Sequence, residues 1–511
     1  MRKLYRFLFS RYAISGVLIG LEFLLMVSLS LIGSPSIYVA IAISLSISFV
    51  AVINLINKNA NPEYKITWLI VILMFMPFGA FMYALFYTRR MSRKESLLLT
   101  GAMLQMKSHG TRGGDYDSLR KEDARAAGQA RSIMNDDMLA ELYRGTSSVL
   151  FPTGEKYFEA LIADLETAKD YIFFEYFIVE DGNLWDKIRG VLKRKAAEGV
   201  EVRMLYDDIG CMFRLSGKYY QKLRQDGINA HVFSKVTPRL SSVHHNRDHR
   251  KICVIDGKVA YTGGVNIADE YINLVPRFGY WKDGGIRITG DAVLAFIKLF
   301  LSNWDFTANT VSDYERFVKT VEPSPDADDG YYLPFGCGPA PIYKRPGGKN
   351  AFLNIINQAE RYVYITTPYL IIDYDLTESL CNAAQRGVDV RIITPKIGDK
   401  KIAKVMTESA YPHFIDSKVK IYEYTPGFMH EKTMVCDDKY AVVGTINLDF
   451  RSLVHHFECA VWMYNTPTVT ATRDSFERTI KECERICRKK SKLTFVEWLF
   501  KTLGKIFAPL L

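Results

Sequence analysis

Two stretches of this chain decide its fold: His249-Arg-Lys-Ile-Cys-Val-Ile-Asp256 and His430-Glu-Lys-Thr-Met-Val-Cys-Asp437. Both have the pattern H-x-K-x-x-x-x-D, and each is followed by a glycine-containing turn and an asparagine. Side chains two residues apart in a strand lie on one face, so each histidine is predicted to lie beside the lysine of its own motif. Two copies of such a pattern in one chain indicate a duplicated domain.

The repeat extends upstream of both motifs. Ala168-Lys-Asp-Tyr-Ile-Phe-Phe is echoed by Ala359-Glu-Arg-Tyr-Val-Tyr-Ile, and Ala197-Glu-Gly-Val-Glu-Val-Arg-Met-Leu by Gln385-Arg-Gly-Val-Asp-Val-Arg-Ile-Ile. The echoes keep their order and a nearly constant spacing, and apolar strands alternate with helical patterns in each copy. This predicts an α/β fold of two domains, each a mixed sheet flanked by helices, related by a pseudo-two-fold axis. The Pro- and Asp-rich stretch 323–330 is the predicted join.

Apolar residues are concentrated at the N-terminus. Of the 511 residues, 48% are hydrophobic and 24% are charged, which excludes disordered, collagenous and small disulfide-rich chains. Stretches 13–33, 37–56 and 66–87 each approach the roughly 20 residues that a spanning helix needs. No convincing signal-peptide cleavage site follows the first stretch, so we expect an uncleaved anchor in the cell membrane.

The orientation of this anchor is ambiguous. The basic residues at 89–94 favour a cytoplasmic location for the catalytic domains, but those at 2–11 favour the same side for the N-terminus. Three full spans cannot satisfy both clusters. Glu22 makes the first stretch the weakest span, so a multi-pass anchor of two or three helices is expected.

These features divide the chain into five segments. They are a membrane anchor (1–88), a linker with an exposed helix (89–145), two repeat domains (146–322 and 331–488) and an amphipathic tail (489–511). The tail mixes lysines with apolar residues at helical spacing, which suits either an anionic leaflet or docking on the catalytic core. The eight cysteines form no C-x-x-C pair, and several lie in apolar runs, which is typical of free thiols in a reducing compartment.

Each motif is predicted to open a β-hairpin. Asp256-Gly257 is a strong signal for a two-residue loop, which would pair His249 with Gly264 and leave a small residue facing the imidazole. Asn266 lies two residues further along on the same face. The second copy repeats the arrangement with the weaker loop Asp437-Asp438 and with His430, Thr445 and Asn447.

An imidazole, an ammonium and an amide that share one face form an anion site, and phosphate is the obvious anion. If the two halves pack face to face, one histidine can attack phosphorus while the other protonates the leaving alkoxide. Lys251 and Lys432, with the two asparagines, would hold the non-bridging oxygens. This chemistry requires neither a metal nor a cofactor.

These motifs resemble those of the phospholipase D superfamily, whose members carry two HxKxxxxD motifs, and within it the bacterial cardiolipin synthases. The closer resemblance depends on Asn61-Pro62 with Trp68, Pro77 and Gly79, Gly263-Gly-Val-Asn-Ile-Ala-Asp-Glu-Tyr271, Pro368-Tyr369, Asn447-Leu-Asp-Phe-Arg-Ser452 and Pro509-Leu-Leu. It covers the chain from Asn57 onward. The first apolar stretch is additional to the expected two-span pattern, and Gly444-Thr445 stands where Gly-Ser is commoner.

The resemblance implies a two-step transfer through a phosphohistidine. One histidine attacks the phosphodiester of a phosphatidylglycerol and glycerol leaves; the hydroxyl of a second phosphatidylglycerol then attacks, which gives cardiolipin. The implied nucleophile is His249 and the implied general acid and base is His430, with the reverse assignment open. The implied partners are phosphatidylglycerol and cardiolipin, with no nucleic acid.

The candidate catalytic residues are His249, Lys251, Asp256, His430, Lys432 and Asp437. Of these, the two aspartates are expected to hold the hairpins rather than touch substrate. Supporting or phosphate-binding roles are expected for Asn266, Asn447, Gly264, Thr445, Glu175 and Glu458. The two glutamates lie in apolar runs, where orienting an imidazole would explain them; a solvent-facing strand end is the alternative. Trp281, Asp283 and Trp304 are expected to be packing residues.

Neighbouring histidines occur at 244–245 and 455–456. Adjacent residues of a strand point to opposite faces, and no cysteine or carboxylate spacing supports zinc, so no metal site is predicted. Contact with a lipid head group or an ordinary loop position is expected for these histidines.

The motifs predict attack on a phosphodiester but do not select the acceptor. A phospholipase D hydrolase or another phosphatidyltransferase, such as a phosphatidylserine synthase, is therefore the main alternative. A phosphodiesterase acting on nucleic acid is more remote: the net charge of +10 permits it, but no concentrated basic stripe with aromatic residues is present. A catalytically silent membrane scaffold is disfavoured because both motifs are intact.

Overall fold

The computed structural model describes residues 36–87, 93–108, 115–235 and 246–487, together with Thr502 and Gly504. These residues belong to two compact units, one that includes the N-terminal helices up to 87 and one that includes residues 93–235 and 246–487. The predictions for stretch 13–33, for the basic clusters at 2–11 and 89–92, and for His244-His245 lie outside the described residues. So does the predicted amphipathic tail, apart from two residues.

The described residues of the N-terminal unit form three helices up to residue 87: α1 (Ser36–Ile56), α2 (Pro62–Met74) and α3 (Phe78–Phe86). Within the described residues, one helix is long and apolar enough to cross a membrane, over Tyr38–Ile56, with a mean hydropathy of 2.5. The stretch 66–87 was predicted to be long enough for one spanning helix, but it does not form one continuous helix. It is divided between α2 and α3, because Pro77 lacks the amide that would continue the hydrogen bonds of α2.

The first repeat forms a seven-stranded mixed sheet in the order β1-β8-β6-β5-β2-β3-β4. Its strands, with the separate strand β7, are β1 (Thr146–Phe151), β2 (Tyr171–Tyr176), β3 (Glu201–Asp207), β4 (Asn229–Phe233), β5 (Lys251–Ile255), β6 (Val259–Gly263), β7 (Tyr280–Lys282) and β8 (Gly285–Gly290). The helices before and within this repeat are α4 (Arg93–Ser108), α5 (Tyr116–Glu122), α6 (Ala124–Asp136), α7 (Gly154–Glu166), α8 (Asn183–Ala197), α9 (Asp208–Cys211), α10 (Tyr219–Gln225), α11 (Val293–Ala308) and α12 (Tyr314–Val318).

The second repeat forms an eight-stranded sheet in the order β19-β13-β12-β10-β15-β16-β18-β9. Its strands, with the separate strands β11, β14 and β17, are β9 (Tyr331–Cys337), β10 (Tyr362–Thr366), β11 (Leu370–Ile371), β12 (Asp389–Pro395), β13 (Lys420–Tyr424), β14 (Gly427–Met429), β15 (Thr433–Cys436), β16 (Tyr440–Gly444), β17 (Leu448–Asp449), β18 (Glu458–Tyr464) and β19 (Cys483–Arg485). Its helices are α13 (Gly347–Gln358), α14 (Tyr374–Gln385), α15 (Lys401–Asp416), α16 (Phe450–Val454) and α17 (Pro467–Thr479).

Apart from the edge strand β19, the two sheets have the same strand order, which confirms the predicted duplicated α/β fold. The central strands are buried on both faces because amphipathic helices cover them. In α8, Leu184, Ile188 and Leu192 recur at helical spacing and are fully or almost fully buried. Helix α14 is its counterpart in the second repeat, and both helices match the helical patterns of the sequence.

The two motif hairpins have a different register from the one predicted. Ile255 lies opposite Val259, and Cys436 lies opposite Tyr440, so each loop contains three residues instead of two. A shift of one residue changes every cross-strand pair. His249 is therefore not paired with Gly264, and the corresponding prediction for the second copy is also wrong. The sequence signal for a two-residue loop considers only the loop residues, whereas the carboxylates of Asp256 and Asp437 bind backbone amides outside the loop.

The motif aspartates anchor these hairpins. The carboxylate of Asp256 accepts hydrogen bonds from the amides of Lys169, Asp170 and Tyr171, each at 2.8 Å. The carboxylate of Asp437 does the same for Glu360, Arg361 and Tyr362, at 2.7–2.8 Å. At about 3.3 Å per residue, seven residues separate each aspartate from its histidine by roughly 23 Å. Both aspartates therefore join a hairpin to the start of the neighbouring strand, away from the histidines.

We expect Asp256→Ala to destabilise the catalytic unit by about 1–3 kcal/mol, because three backbone amides, of which that of Tyr171 is buried, lose their acceptor. Thermal unfolding of the full-length protein in detergent measures the change. Asp329→Ala is the matched control, since the Asp329 side chain is exposed and pairs only loosely with Arg144 at 3.7 Å. Equal unfolding temperatures for the two variants would contradict this role of Asp256.

Candidate active site

Backbone pairing between the two repeats brings each histidine against the other repeat. Strand β7 of the first repeat pairs in parallel with β14 of the second, and Asp248 forms a parallel bridge with Phe457. The amide of His249 donates to the Phe457 carbonyl at 2.8 Å, and the amide of His430 donates to the Lys282 carbonyl at 2.8 Å. Both motifs thus begin at the junction of the two repeats.

Each imidazole contacts a carboxylate of the opposite repeat. Nδ1 of His249 lies 2.9 Å from Oε2 of Glu458, and Nδ1 of His430 lies 2.6 Å from Oδ2 of Asp283. In both cases, the residue with the carboxylate directly follows the residue whose carbonyl accepts the hydrogen bond from the histidine amide. The contacts between the two repeats therefore have two-fold symmetry. A carboxylate favours the tautomer with its proton on Nδ1, which leaves the lone pair of Nε2 available to a substrate.

The small residues that were predicted to face the imidazoles contact these carboxylates instead. The hydroxyl of Thr445 donates to Oε2 of Glu458, and the hydroxyl of Ser452 donates to Oε1. In the first repeat, a Cβ on Gly264 would lie 2.2 Å from Oδ1 of Asp283. Glycine is therefore needed at 264 so that Asp283 can reach His430.

The two lysines are buried beside the histidines. Nζ of Lys251 donates to the His249 carbonyl at 2.6 Å, and Nζ of Lys432 donates to the His430 carbonyl. Burial lowers the pKa of each lysine from 10.5 to about 8, and for Lys251 the charge of Lys432 adds to this effect. The two ammonium groups thus influence each other across the repeats.

Burial and nearby cations also keep the histidines neutral. The pKa of His249 is well below its ordinary value because of burial first, and then because of Lys251, His456 and the positive groups of the second repeat. The pKa of His430 falls to about 4 through burial and Lys432, although Asp283 opposes this. A buried site with positive groups from both repeats attracts an anion, and a bound anion favours protonation of an imidazole.

Aromatic rings surround both imidazoles. The ring centroid of Phe177 lies 4.9 Å from that of His249. The rings of Tyr271, Trp281 and Phe428 lie 5.4–5.6 Å from the ring of His430. These rings limit the access of water to the two histidines.

The expectation that Asp283 only packs is wrong, because it contacts His430. Asp283 and Glu458 occupy equivalent places in the two sheets. Gly263 pairs with the residue two positions after Asp283, and Gly444 pairs with the residue two positions after Glu458. The local sequences KDGGIRI and FECAVWM share an acidic residue followed by two small residues and a β-branched one, a signal that could have identified the pair. The strand pairing shows the equivalence directly, and it also places Trp281 beside His430. Trp304 packs against Phe300, as expected of a core residue.

Glu175 does not orient an imidazole. Its carboxylate accepts hydrogen bonds from Nη2 of Arg250 and Nδ2 of Asn303, both at 3.0 Å. Burial raises the pKa of Glu175, and the Arg250 guanidinium opposes that shift. Arg250 lies between the motif residues His249 and Lys251 and points to the opposite face of the strand, so this pair supports the motif from behind.

The two asparagines have different surroundings. Asn266 accepts from the amide of Ile178 at 3.1 Å and donates to the hydroxyl of Tyr271 at 2.8 Å, so it holds a ring that contacts His430. Oδ1 of Asn447 is buried and has no protein hydrogen-bond partner in the described part of the chain. Asn447 is thus the asparagine with unused hydrogen-bonding capacity.

His456 lies beside His249, with ring centroids 5.7 Å apart. One potential ligand atom from each of His249, His456 and Glu458 lies within 4.8 Å of the others. Adjacent histidines were expected to point apart, and only His456 of the 455–456 pair belongs to this cluster. The oxygens of Glu458 already accept the two hydroxyls described above. Measuring activity in the presence of a chelator tests whether a metal ion is required at this cluster.

Two HxK half-sites, each completed by a carboxylate of the other half, define a phosphodiester-processing site of the phospholipase D class. The family model described as "Cardiolipin synthase, PLD-like domain" matches residues 161–275 and 352–480. The model described as "Phospholipase D-nuclease N-terminal" matches residues 46–86. The chain belongs to the cardiolipin synthase family of phospholipase D-like proteins.

The chain is also similar to individual proteins. A cardiolipin synthase of Geobacillus sp. (strain WCH70) is 34% identical over 88% of this chain and 88% of its own length. A Streptococcus mutans protein without a stated activity is 40% identical over 90% of this chain and 99% of its own length. The crystal structure of phosphatidylserine synthase from Haemophilus influenzae Rd KW20 shares the fold, with a TM-score of 0.55 and 14% identity over 75% of this chain and 98% of that chain.

We expect Gly264→Ala to lower kcat about a hundredfold, because the added methyl group displaces Asp283 and thereby misplaces His430. Turnover and thermal unfolding should be measured together on the full-length protein. Gly190→Ala is the matched control, since a Cβ at Gly190 meets nothing within 4 Å. Normal turnover in Gly264→Ala would show that the contact between Asp283 and His430 does not position the imidazole.

Anion binding should weaken as the pH rises through about 8, where Lys251 and Lys432 lose their protons. An anion favours the charged form of each lysine, so its affinity is highest below this pH and falls above it. Dimethyl phosphate keeps one negative charge across this range, and calorimetry of its binding at several pH values measures the effect. The profile should be the same in Lys319→Gln, which removes an exposed lysine paired with Glu315. Affinity that stays constant up to pH 10 would contradict the prediction.

Proposed function

We propose that the chain is a membrane-anchored phosphatidyltransferase that converts two phosphatidylglycerol molecules into cardiolipin and glycerol. The observation that carries the proposal is the reciprocal contact of His249 with Glu458 and of His430 with Asp283. It supplies two oriented imidazoles in one buried cationic site. Membership of the cardiolipin synthase family supports the choice of lipid.

In the first step, Nε2 of His249 attacks phosphorus and the P–N bond forms. The bond from phosphorus to the oxygen of the head-group glycerol breaks. Protonated His430 gives its proton to that oxygen, so that neutral glycerol leaves. His430 is neutral in the free site, and the bound phosphodiester anion stabilises its protonated form. Lys251 and Lys432 hold the non-bridging oxygens as negative charge develops.

In the second step, the neutral His430 accepts the proton of a hydroxyl group on the second phosphatidylglycerol. The hydroxyl oxygen attacks phosphorus, the P–N bond breaks and His249 is regenerated. Cardiolipin is then released, and His430 carries the proton needed for the next cycle. The assignment of His249 as the nucleophile follows the family resemblance, and the pseudo-symmetry of the site keeps the reverse assignment as an outcome of the test.

The surroundings of the histidines favour a lipid alcohol over water as the acceptor. Both imidazoles are buried, and the rings of Phe177, Tyr271, Trp281 and Phe428 cover them. A covalent phosphohistidine is protected from hydrolysis when water is excluded. This supports transfer over the hydrolase alternative.

The anchor is proposed to cross the cell membrane more than once and to hold the catalytic unit on the cytoplasmic side. Helix α1 supports one crossing by its length and composition. The basic residues at 89–94 support the cytoplasmic side for the residues that follow. The free state of all eight cysteines is compatible with that reducing compartment.

Product analysis tests the function. Full-length protein in mixed micelles with phosphatidylglycerol as the sole lipid should form cardiolipin and glycerol in equal amounts, and EDTA should leave the rate unchanged. His249→Ala should reduce turnover by about 10⁴-fold or more. His413→Ala is the matched control, because His413 is exposed and pairs with Glu378.

The distribution of products separates the alternatives. Phosphatidic acid without cardiolipin would identify a hydrolase, and the absence of any lipid product would reject the proposal. Acid-quenched digests analysed by mass spectrometry should contain the phosphatidyl adduct on the peptide with His249. An adduct on the peptide with His430 would reverse the two roles.

A further inference from the structure

Exposed apolar side chains are concentrated on four segments beside the active site. These rim segments are 208–214, 274–277, 396–405 and 451–454. Most of the large apolar side chains exposed in residues 115–235 and 246–487 lie on them: Ile209, Phe213, Leu274, Val275, Ile397, Ile402, Val405 and Val454. The most prominent are Phe213, which is 80% exposed, and Ile402, which is 63% exposed.

The first two rim segments adjoin one histidine each. The backbone of Gly210 lies so close to Phe177 that a Cβ would be 2.0 Å from its carbonyl oxygen. Phe177 in turn contacts His249. Segment 274–277 follows the short 3-10 helix that contains Tyr271, which contacts His430.

The other two rim segments adjoin His456. Lys400 lies over the ring of Tyr369, with its nitrogen 5.5 Å from the centroid, and its charge lowers the pKa of His456. Val454 is two residues before His456, at the end of α16. Two segments are thus connected to the catalytic imidazoles through Phe177 and Tyr271, and the other two through His456, whose ring lies 5.7 Å from that of His249.

The rim is also basic. Segment 396–405 contains Lys396, Lys400, Lys401 and Lys404, and its single acidic residue, Asp399, accepts a hydrogen bond from Tyr369. Lys396 pairs with Glu484 and Lys404 pairs with Glu423, so Lys400 and Lys401 are the lysines of this segment that carry its excess positive charge. Arg214 and Arg277 both pair with Glu270, which joins the first two rim segments. Separate apolar tips interspersed with lysines are typical of protein surfaces that lie on an anionic bilayer.

We propose that the rim docks on the anionic leaflet, with Phe213 and Ile402 inserted among the acyl chains and the lysines at the head groups. This deepens the proposed function, on which it depends, by naming the bilayer surface as the partner of the active-site mouth. A phosphatidylglycerol can then reach the histidines without transferring its acyl chains into water. The charge and the position around the site favour a lipid surface over a protein partner.

Depth measurements test the docking without reference to activity. Phe213→Cys and Ile402→Cys, each in a Cys487→Ser background that removes the exposed native thiol, are spin-labelled in full-length protein within phosphatidylglycerol vesicles. Val311→Cys is the matched control: Val311 is 68% exposed and lies beside Arg203 and Asn229, towards the opposite end of strands β3 and β4. Labels at 213 and 402 should be accessible to oxygen and protected from a water-soluble nickel complex, and the label at 311 should show the reverse. Three water-exposed labels would overturn the proposal, whereas a protein partner would protect 213 and 402 without oxygen access.

A second measurement connects docking to catalysis. In the double variant Phe213→Glu and Ile402→Glu, the ratio of the rate on bilayer phosphatidylglycerol to the rate on a monomeric short-chain phosphatidylglycerol should fall about tenfold or more. Val311→Glu should leave this ratio unchanged. An unchanged ratio in the double variant would overturn the role of docking in substrate access. If the unaltered protein formed no lipid product, the proposed function would fail, and the spin-label depths would still decide the docking.

Discussion

The reciprocal contact between an imidazole of one repeat and a carboxylate of the other is the interaction on which this structure depends. Neither repeat contains a complete half-site, because Glu458 holds His249 and Asp283 holds His430. The backbone amide of each histidine donates a hydrogen bond to the carbonyl of the residue that precedes this carboxylate residue. These hydrogen bonds fix the register between the two repeats. The same contacts therefore orient the imidazoles and hold the two repeats together.

The charges of the site are balanced across the same junction. Two buried lysines would be costly if they were isolated, and burial lowers their pKa values accordingly. The charges of Glu458 and Asp283 offset part of this cost. Arg250 and Glu175 form a separate buried pair behind the motif, so that its strand does not place an unpaired charge in the core.

The repeat and the two HxK motifs predicted the duplicated α/β fold, because hydrophobic alternation and motif spacing are local properties of the chain. The hairpin register was missed by one residue, since the loop signal considers only the loop residues, whereas the carboxylates of Asp256 and Asp437 bind amides of a neighbouring strand. The assignment of Glu175 failed for a related reason. An acidic residue in an apolar run indicates a buried partner but does not identify it, and here the partner is Arg250.

By itself, the sequence predicted the candidate catalytic side chains: two histidines and two lysines, with the lysine two residues after the histidine in each motif. It also determined the apolar anchor segment and the membership of a lipid-processing family. Only the tertiary structure decided which carboxylate orients each imidazole and which small residues make room for it. These choices depend on parallel pairing between residues far apart in the chain, such as Trp281 with Phe428. Strand pairing of this kind joins backbone groups rather than side-chain types, and for that reason it leaves no pattern in the sequence.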